Sequence, residues 1–178
     1  MTSRVMAAAY TAAAVSKALR ETVADWLMTV AALILLLSLF LAWSHQFSAS
    51  FLAHHRGSAF LEGVPRDPDA WQLYSVADVL LALLAGGLLA VALWGGRAAR
   101  LAVAIGLVVA VGFTVHAMSV PPTNGAVLFD AATSRYVATG ASSGAGEVVA
   151  FVALLLGAAG VALSYSVDFE PRRRPYPR

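Results

Sequence analysis

The hydrophobic pattern of the chain is dominated by four long runs almost free of charge, Trp26–Trp43, Val76–Trp94, Leu101–Val120 and Val148–Val167. Each holds 18 to 20 residues. At about 1.5 Å of rise per residue, a helix of that length spans roughly 27 to 30 Å, the thickness of the hydrocarbon core of a bilayer. The polar stretches between the runs are long, short and long in turn. The pattern therefore predicts an all-α membrane protein, with four transmembrane helices in an antiparallel bundle over residues 26–167. A cytoplasmic or interfacial segment, 1–25, precedes the bundle and a basic cytoplasmic tail, 168–178, follows it.

Local signals refine this outline. Residues 6–24 are rich in alanine and carry Tyr10, Val15 and Leu19, which suits a helix lying at the interface ahead of the first span. A cleaved signal peptide is the competing reading, but its apolar region holds about 7 to 15 residues and this one runs on to Trp43. Trp26 and Trp43 are expected to anchor the two ends of the first span. In the first long loop, Gln46–His55 predicts a short amphipathic helix resting Phe47, Phe51 and Leu52 on the membrane surface. Pro65 and Pro68 predict an extended turn after it, because a proline disfavours helix in the residue before it. Gly95-Gly96 predicts a tight turn that makes the second and third spans a helical hairpin, and Pro121-Pro122 end the third span. In the second long loop, Val127-Leu128-Phe129 and Arg135-Tyr136-Val137 flank Asp130–Ser134 in the manner of a small β-hairpin. Gly140–Gly146 reads as a flexible linker.

Composition narrows the class. With 60% apolar and 12% charged residues, the chain has too little polar surface for a soluble globule. The absence of cysteine excludes disulfides, thiolate metal sites, iron–sulfur clusters and cysteine nucleophiles. Basic residues set the orientation, because Lys and Arg near span ends stay on the cytoplasmic side. Nine of the twelve, Arg4, Lys17, Arg20, Arg97, Arg100, Arg172, Arg173, Arg174 and Arg178, fall on the side of the termini and the short connection. A multi-pass protein of the cell inner (plasma) membrane with both termini cytoplasmic follows. Arg172-Arg173-Arg174 reads as an anchor to anionic lipid, and nucleic acid is not an expected partner.

Few residues promise chemistry. A carboxylate within a span is costly and usually has a partner or a function, which singles out Asp78. Ser75-Val76-Ala77-Asp78 has the spacing of a capping box, and His116 lies at a similar depth on the third span, so a polar pair Asp78–His116 is expected. The pair reads either as structural or as a handler of protons or ligand. Small residues at four-residue spacing, Ala82, Gly86 and Ala90 on one span and Ala102, Gly106 and Ala110 on the next, predict facing packing seams. His45, His54, His55, His116, Asp78 and Glu147 gather toward the outer side but match no metal-ligand spacing. Gly140-Ala141-Ser142-Ser143-Gly144 matches G-x-S-x-G without the strand–turn–helix context that a nucleophile elbow needs. There is no phosphate-binding loop or dinucleotide fingerprint. No catalytic residue, metal site or cofactor is expected.

The stretch Trp71–Leu81, with Ser75 and Asp78-Val79-Leu80-Leu81, resembles the start of the second span in uncharacterised bacterial four-span integral membrane proteins. Leu39-Phe40-Leu41-Ala42-Trp43 resembles the end of their first span, with Ala42 where that pattern has proline, and Pro121-Pro122 resembles the close of their third. The resemblance implies the four-span fold and no activity. The expected role is a non-enzymatic accessory or structural subunit of a membrane assembly, with membrane lipids and another membrane or envelope protein, or a second copy, as partners. A small transporter or channel subunit using Asp78 and His116 is the first alternative, and an outer-face metal-dependent enzyme the second. Reporter fusions at either terminus should read as cytoplasmic, and fusions in either long loop as extracytoplasmic.

Overall fold

In a bilayer each backbone N–H and C=O must find its partner within the protein, so apolar runs of this length become helices. The computed structural model describes residues 2–54, 65–122, 127–130, 135–138 and 140–168, and it is mostly helical. The chain runs through α1 (Thr2–Ser38), β1 (Ser44–His45), α2 (Ala49–His54), α3 (Ala70–Leu73), α4 (Ala77–Trp94) and α5 (Arg97–Ser119). It then passes through β2 (Val127–Asp130), β3 (Arg135–Ala138), β4 (Ser142–Ser143) and α6 (Ala145–Asp168). Among the described residues, four stretches are long and apolar enough to cross a membrane: Val15–Ser38, Ala77–Trp94, Arg97–Ser119 and Ala145–Ser166. Large apolar side chains such as Leu33, Leu37, Leu83, Val108 and Leu155 face outward on them, as lipid-facing residues do.

The core runs through all four. Met28, Ala31, Ala32 and Leu35 of α1 meet Leu81, Ala85, Leu88 and Val91 of α4, with Val103 and Leu107 of α5 and Ala150, Ala153 and Leu154 of α6. Most of the packing lies between α1 and α6, then between α1 and α4 and between α5 and α6. Because lipid tails are as apolar as leucine, close backbone approach drives such contacts. One such approach is at Gly160, where a Cβ would stand 2.8 Å from Met28 Cγ and 3.1 Å from the Ala24 carbonyl oxygen.

The expected facing seams do not form that contact. Helix α4 turns Leu81, Ala85, Leu88 and Val91 inward, which leaves Ala82 and Ala90 at the edge of the packed face. Gly86 is exposed, with nothing within 4 Å of a Cβ built on it. On α5, Ala110 is buried, Ala102 is exposed, and Gly106 lies under Leu84, whose Cδ1 would be 2.9 Å from its Cβ.

Three further expectations change. The N-terminal segment is not a separate interfacial helix but continues into the first span as α1. That helix ends at Ser38 rather than Trp43; Trp26 remains outside, while Trp43 folds inward and is completely buried. Helix α2 forms within Gln46–His55, yet Phe47 and Phe51 are buried and stacked on each other, ring centroids 5.6 Å apart, instead of lying on a membrane surface. Residues 55–64, 123–126, 131–134, 139 and 169–178, which include His55, Arg56 and the basic tail, lie outside the described residues.

The β-hairpin is as the alternation predicts: β2 and β3 pair antiparallel with Leu128 opposite Val137 and Phe129 opposite Tyr136. The expected linker at Gly140–Gly146 is instead ordered structure. Strand β4 pairs with β1, Ser44 opposite Ser143, and α6 begins at Ala145. Its glycines serve proximity, since a Cβ at Gly146 would overlap the Trp43 ring, with Nε1 at 2.8 Å. Gly146→Ala should therefore destabilise the protein by about 1 to 3 kcal/mol through overpacking, whereas Gly86→Ala should cost nothing sterically. Thermal unfolding of both variants in detergent checks this contrast.

Candidate functional site

The segments that end α1 and α5 and those that begin α4 and α6 meet at one end of the molecule, here the loop end. Trp43 is its centre. Beyond Ser38 the chain makes tight turns, with the Leu41 N–H donating to the Ser38 carbonyl at 3.2 Å. The indole Nε1 of Trp43 then donates to that same carbonyl at 2.8 Å. The Trp43 N–H donates to Pro68 O at 2.9 Å, and its carbonyl accepts from the Gly144 N–H at 2.8 Å. One residue back, Ala42 O accepts from the Gly146 N–H at 2.7 Å. The first loop and the start of α6 are thus tied to one short strand of backbone.

Two clusters flank this tryptophan. Tyr74 and Phe113 complete an aromatic triangle with it: Trp43–Tyr74 centroids are 5.8 Å apart, Tyr74–Phe113 5.2 Å and Trp43–Phe113 6.4 Å. Both Tyr74 contacts are edge-on, the geometry ring quadrupoles favour. On the other side the carbonyl of Pro122, freed where α5 stops, accepts from Ser44 Oγ at 3.1 Å and from Gln46 Nε2 at 2.9 Å. Gln46 Nε2 also donates to Ser44 Oγ. Ser44 and Gln46 are completely buried, so these bonds offset the cost of burying their polar atoms.

Glu147, in the first turn of α6, is the exception. It is completely buried, and neither carboxylate oxygen completes a hydrogen bond among the described residues. The Ser143 hydroxyl and the Gly144 amide are the donors turned toward it, but the Gly144 N–H is already committed to Trp43 O. A buried carboxyl without partners is rare and costly, and in a membrane protein it marks a place able to hold a proton or a cation. Glu147 stood in the sequence among scattered outer-side acids and histidines. Its one distinguishing signal was that it is the only acid at the start of the fourth run, behind Gly144 and Gly146.

The expected pair is not brought together. Asp78 is buried in the first turn of α4, and its Oδ1 accepts from the Val79 N–H at 2.7 Å. It thus satisfies one of the unpaired N–H groups of a helix start. The expected capping box does not close, since the N-cap is Val76 with no side-chain bond. His116 is exposed on α5, and no hydrogen bond or ion pair joins it to Asp78. His45 pairs instead with Asp67, Nδ1 to Oδ1 2.6 Å. No group of three or more His, Asp or Glu suited to a metal exists among the described residues. Ser142 of the G-x-S-x-G string is exposed on β4.

No family model, curated protein or solved structure matches the chain. What is shown is the four apolar helices, which fit a four-span membrane protein.

Burial pushes the Tyr74 phenol up from its ordinary value near 10 to about 12, and the charge of Glu147 adds to the rise. Tyr74 should therefore stabilise the fold fully below pH 10 and less as the pH climbs from 10 toward 12. A ¹³C titration of ring-labelled tyrosine, with Tyr74→Phe to assign the signal, should find it late, and Glu147→Gln should move it back toward 10.

Proposed function

We propose that the protein is a non-enzymatic accessory subunit of a membrane assembly. In this reading the four spans alternate in direction as an antiparallel bundle in a bacterial inner membrane, both termini cytoplasmic and the loop end outside. The distribution of basic residues supports that orientation. The observation that carries the role is the junction around Trp43, where the first loop, the close of α5 and the start of α6 are tied by buried hydrogen bonds into a fixed shape. A rigid, pre-ordered surface lowers the ordering cost of binding a partner. At its edge Phe40 and Trp71, ring centroids 6.1 Å apart, remain exposed beside Leu41. Aromatic residues of this kind anchor interfaces. The partner is another membrane or envelope protein.

A second reading, a small transporter or channel subunit, is favoured by the bare Glu147 carboxyl rather than by a pair between Asp78 and His116. The two readings separate on different variants. For an accessory subunit, purification in mild detergent from native membranes should yield a stoichiometric protein partner, lost in Phe40→Ser/Trp71→Ser and kept in Glu147→Gln. A chain recovered alone, with cation or proton flux in proteoliposomes abolished by Glu147→Gln, would favour transport instead.

A further inference from the structure

Glu147 sits in the first turn of α6 with no accessible surface, and neither oxygen of its carboxyl completes a hydrogen bond among the described residues. An ionised carboxylate has about four lone-pair sites to satisfy. The junction turns two donors toward it, the Ser143 hydroxyl and the Gly144 amide, and that amide already bonds Trp43 O. Among the described residues no Lys or Arg is paired with it. The positive end of α6 lies beneath the carboxyl, yet a helix terminus offsets only part of what an ion loses on leaving water. The other ionisable groups at the loop end are engaged or turned outward. Asp78 of α4 accepts from the Val79 N–H, Asp69 accepts from the Gln72 N–H at the start of α3, and His45 of β1 pairs with Asp67. Arg66 and His116 are exposed. Tyr74 is the titratable neighbour whose phenol senses the Glu147 charge once that charge forms.

We propose that Glu147 is a proton-binding site: its carboxyl is held as the neutral acid inside the junction, and a proton, rather than a metal ion, is the ligand it exchanges. The inference rests on the transport reading, in which Glu147 is the working group, and names the ion. The chemistry of the walls selects the proton. A hard metal cation gathers about six or more oxygen ligands. No second acid or histidine joins Glu147 in a group suited to a metal among the described residues. The junction carbonyls, Ser38 O, Ala42 O, Trp43 O and Pro122 O, already accept hydrogen bonds. The two groups turned toward the carboxyl present hydrogens, which repel a cation. A bound proton instead removes the buried charge outright and leaves a neutral acid with a single donor, for which the Ser143 oxygen is an acceptor. On release the proton passes to water and the carboxylate keeps the electron pair.

The test uses the full chain purified in detergent and labelled with ¹³C-glutamate. Infrared spectroscopy reads the group directly, because the neutral acid has a C=O stretch that the ionised form lacks. The expected result is such a band at about pH 7, where exposed glutamates are ionised. It should be missing in Glu147→Gln, give way to carboxylate as the pH rises, and be unaltered by sodium, magnesium or calcium chloride. A second readout needs no variant and decides alone should Glu147→Gln fail to fold. An apolar carbodiimide adds across a protonated carboxyl, the proton going to nitrogen and the oxygen to the central carbon. Mass spectrometry of the native chain should find that adduct on Glu147 and none on Glu21, which is exposed beside Lys17. Its rate should fall about tenfold per pH unit once the band has titrated. A carboxylate already ionised at about pH 5 in the folded chain would overturn the proposal. So would a neutral-acid band displaced by the metal salts, or carbodiimide adducts that miss Glu147. Binding is read in the purified chain and transport by flux in vesicles, so a site that binds without conducting is told apart from no site.

Discussion

The burial of Trp43 at the point where α1 stops is the constraint on which the remaining structure depends. A helix that ends inside or near a membrane leaves carbonyls without partners, and water is scarce there to solvate them. Trp43 answers this by donating its indole N–H to Ser38 O, while its own backbone accepts from Gly144. Those bonds require the start of α6 to lie directly on the tryptophan, and only glycine at 144 and 146 leaves room. The same ring stacks edge-on with Tyr74 and approaches Phe113, so all four spans are referenced to one side chain.

The fixed loop end and the loose middle are two consequences of the same packing. Helix α6 lies against α1 over most of its length and α5 follows α6. Helix α4 is held by α1 on its other side, so α4 and α5 are pulled toward different neighbours, although only the Gly95-Gly96 turn connects them. That division leaves an apolar crevice between them, lined by Ala77, Leu80, Leu84, Gly106, Val109 and Phe113. At the loop end the division is repaired by hydrogen bonds and rings; in the middle Leu84 on Gly106 and Val103 beside Gly87 bridge it.

Glu147 and Asp78 show how the same residue type takes different standing by position. Both are buried acids in the first turn of a helix, where the positive end of the macrodipole favours them. Asp78 is short enough to reach the Val79 N–H and behaves as part of the helix start. Glu147 is one methylene longer and is enclosed by a junction whose nearby amide is already spent on Trp43. Its carboxyl therefore completes no hydrogen bond among the described residues.

Sequence by itself determined the four spans, the hairpin of β2 and β3 and the stop at Pro121-Pro122. These are local matters: apolar run length, alternation and the lost N–H of proline act over neighbouring residues. Only tertiary structure decided that Trp43 turns inward, that Gly144 and Gly146 are contact points rather than linker, and that Gly86 faces outward. It also decided that Asp78 and His116 stay apart and that Glu147 is buried without completing a hydrogen bond among the described residues. Each of these depends on which helix faces which, and a stripe of small residues looks the same in sequence whether a neighbouring backbone or a lipid tail lies against it.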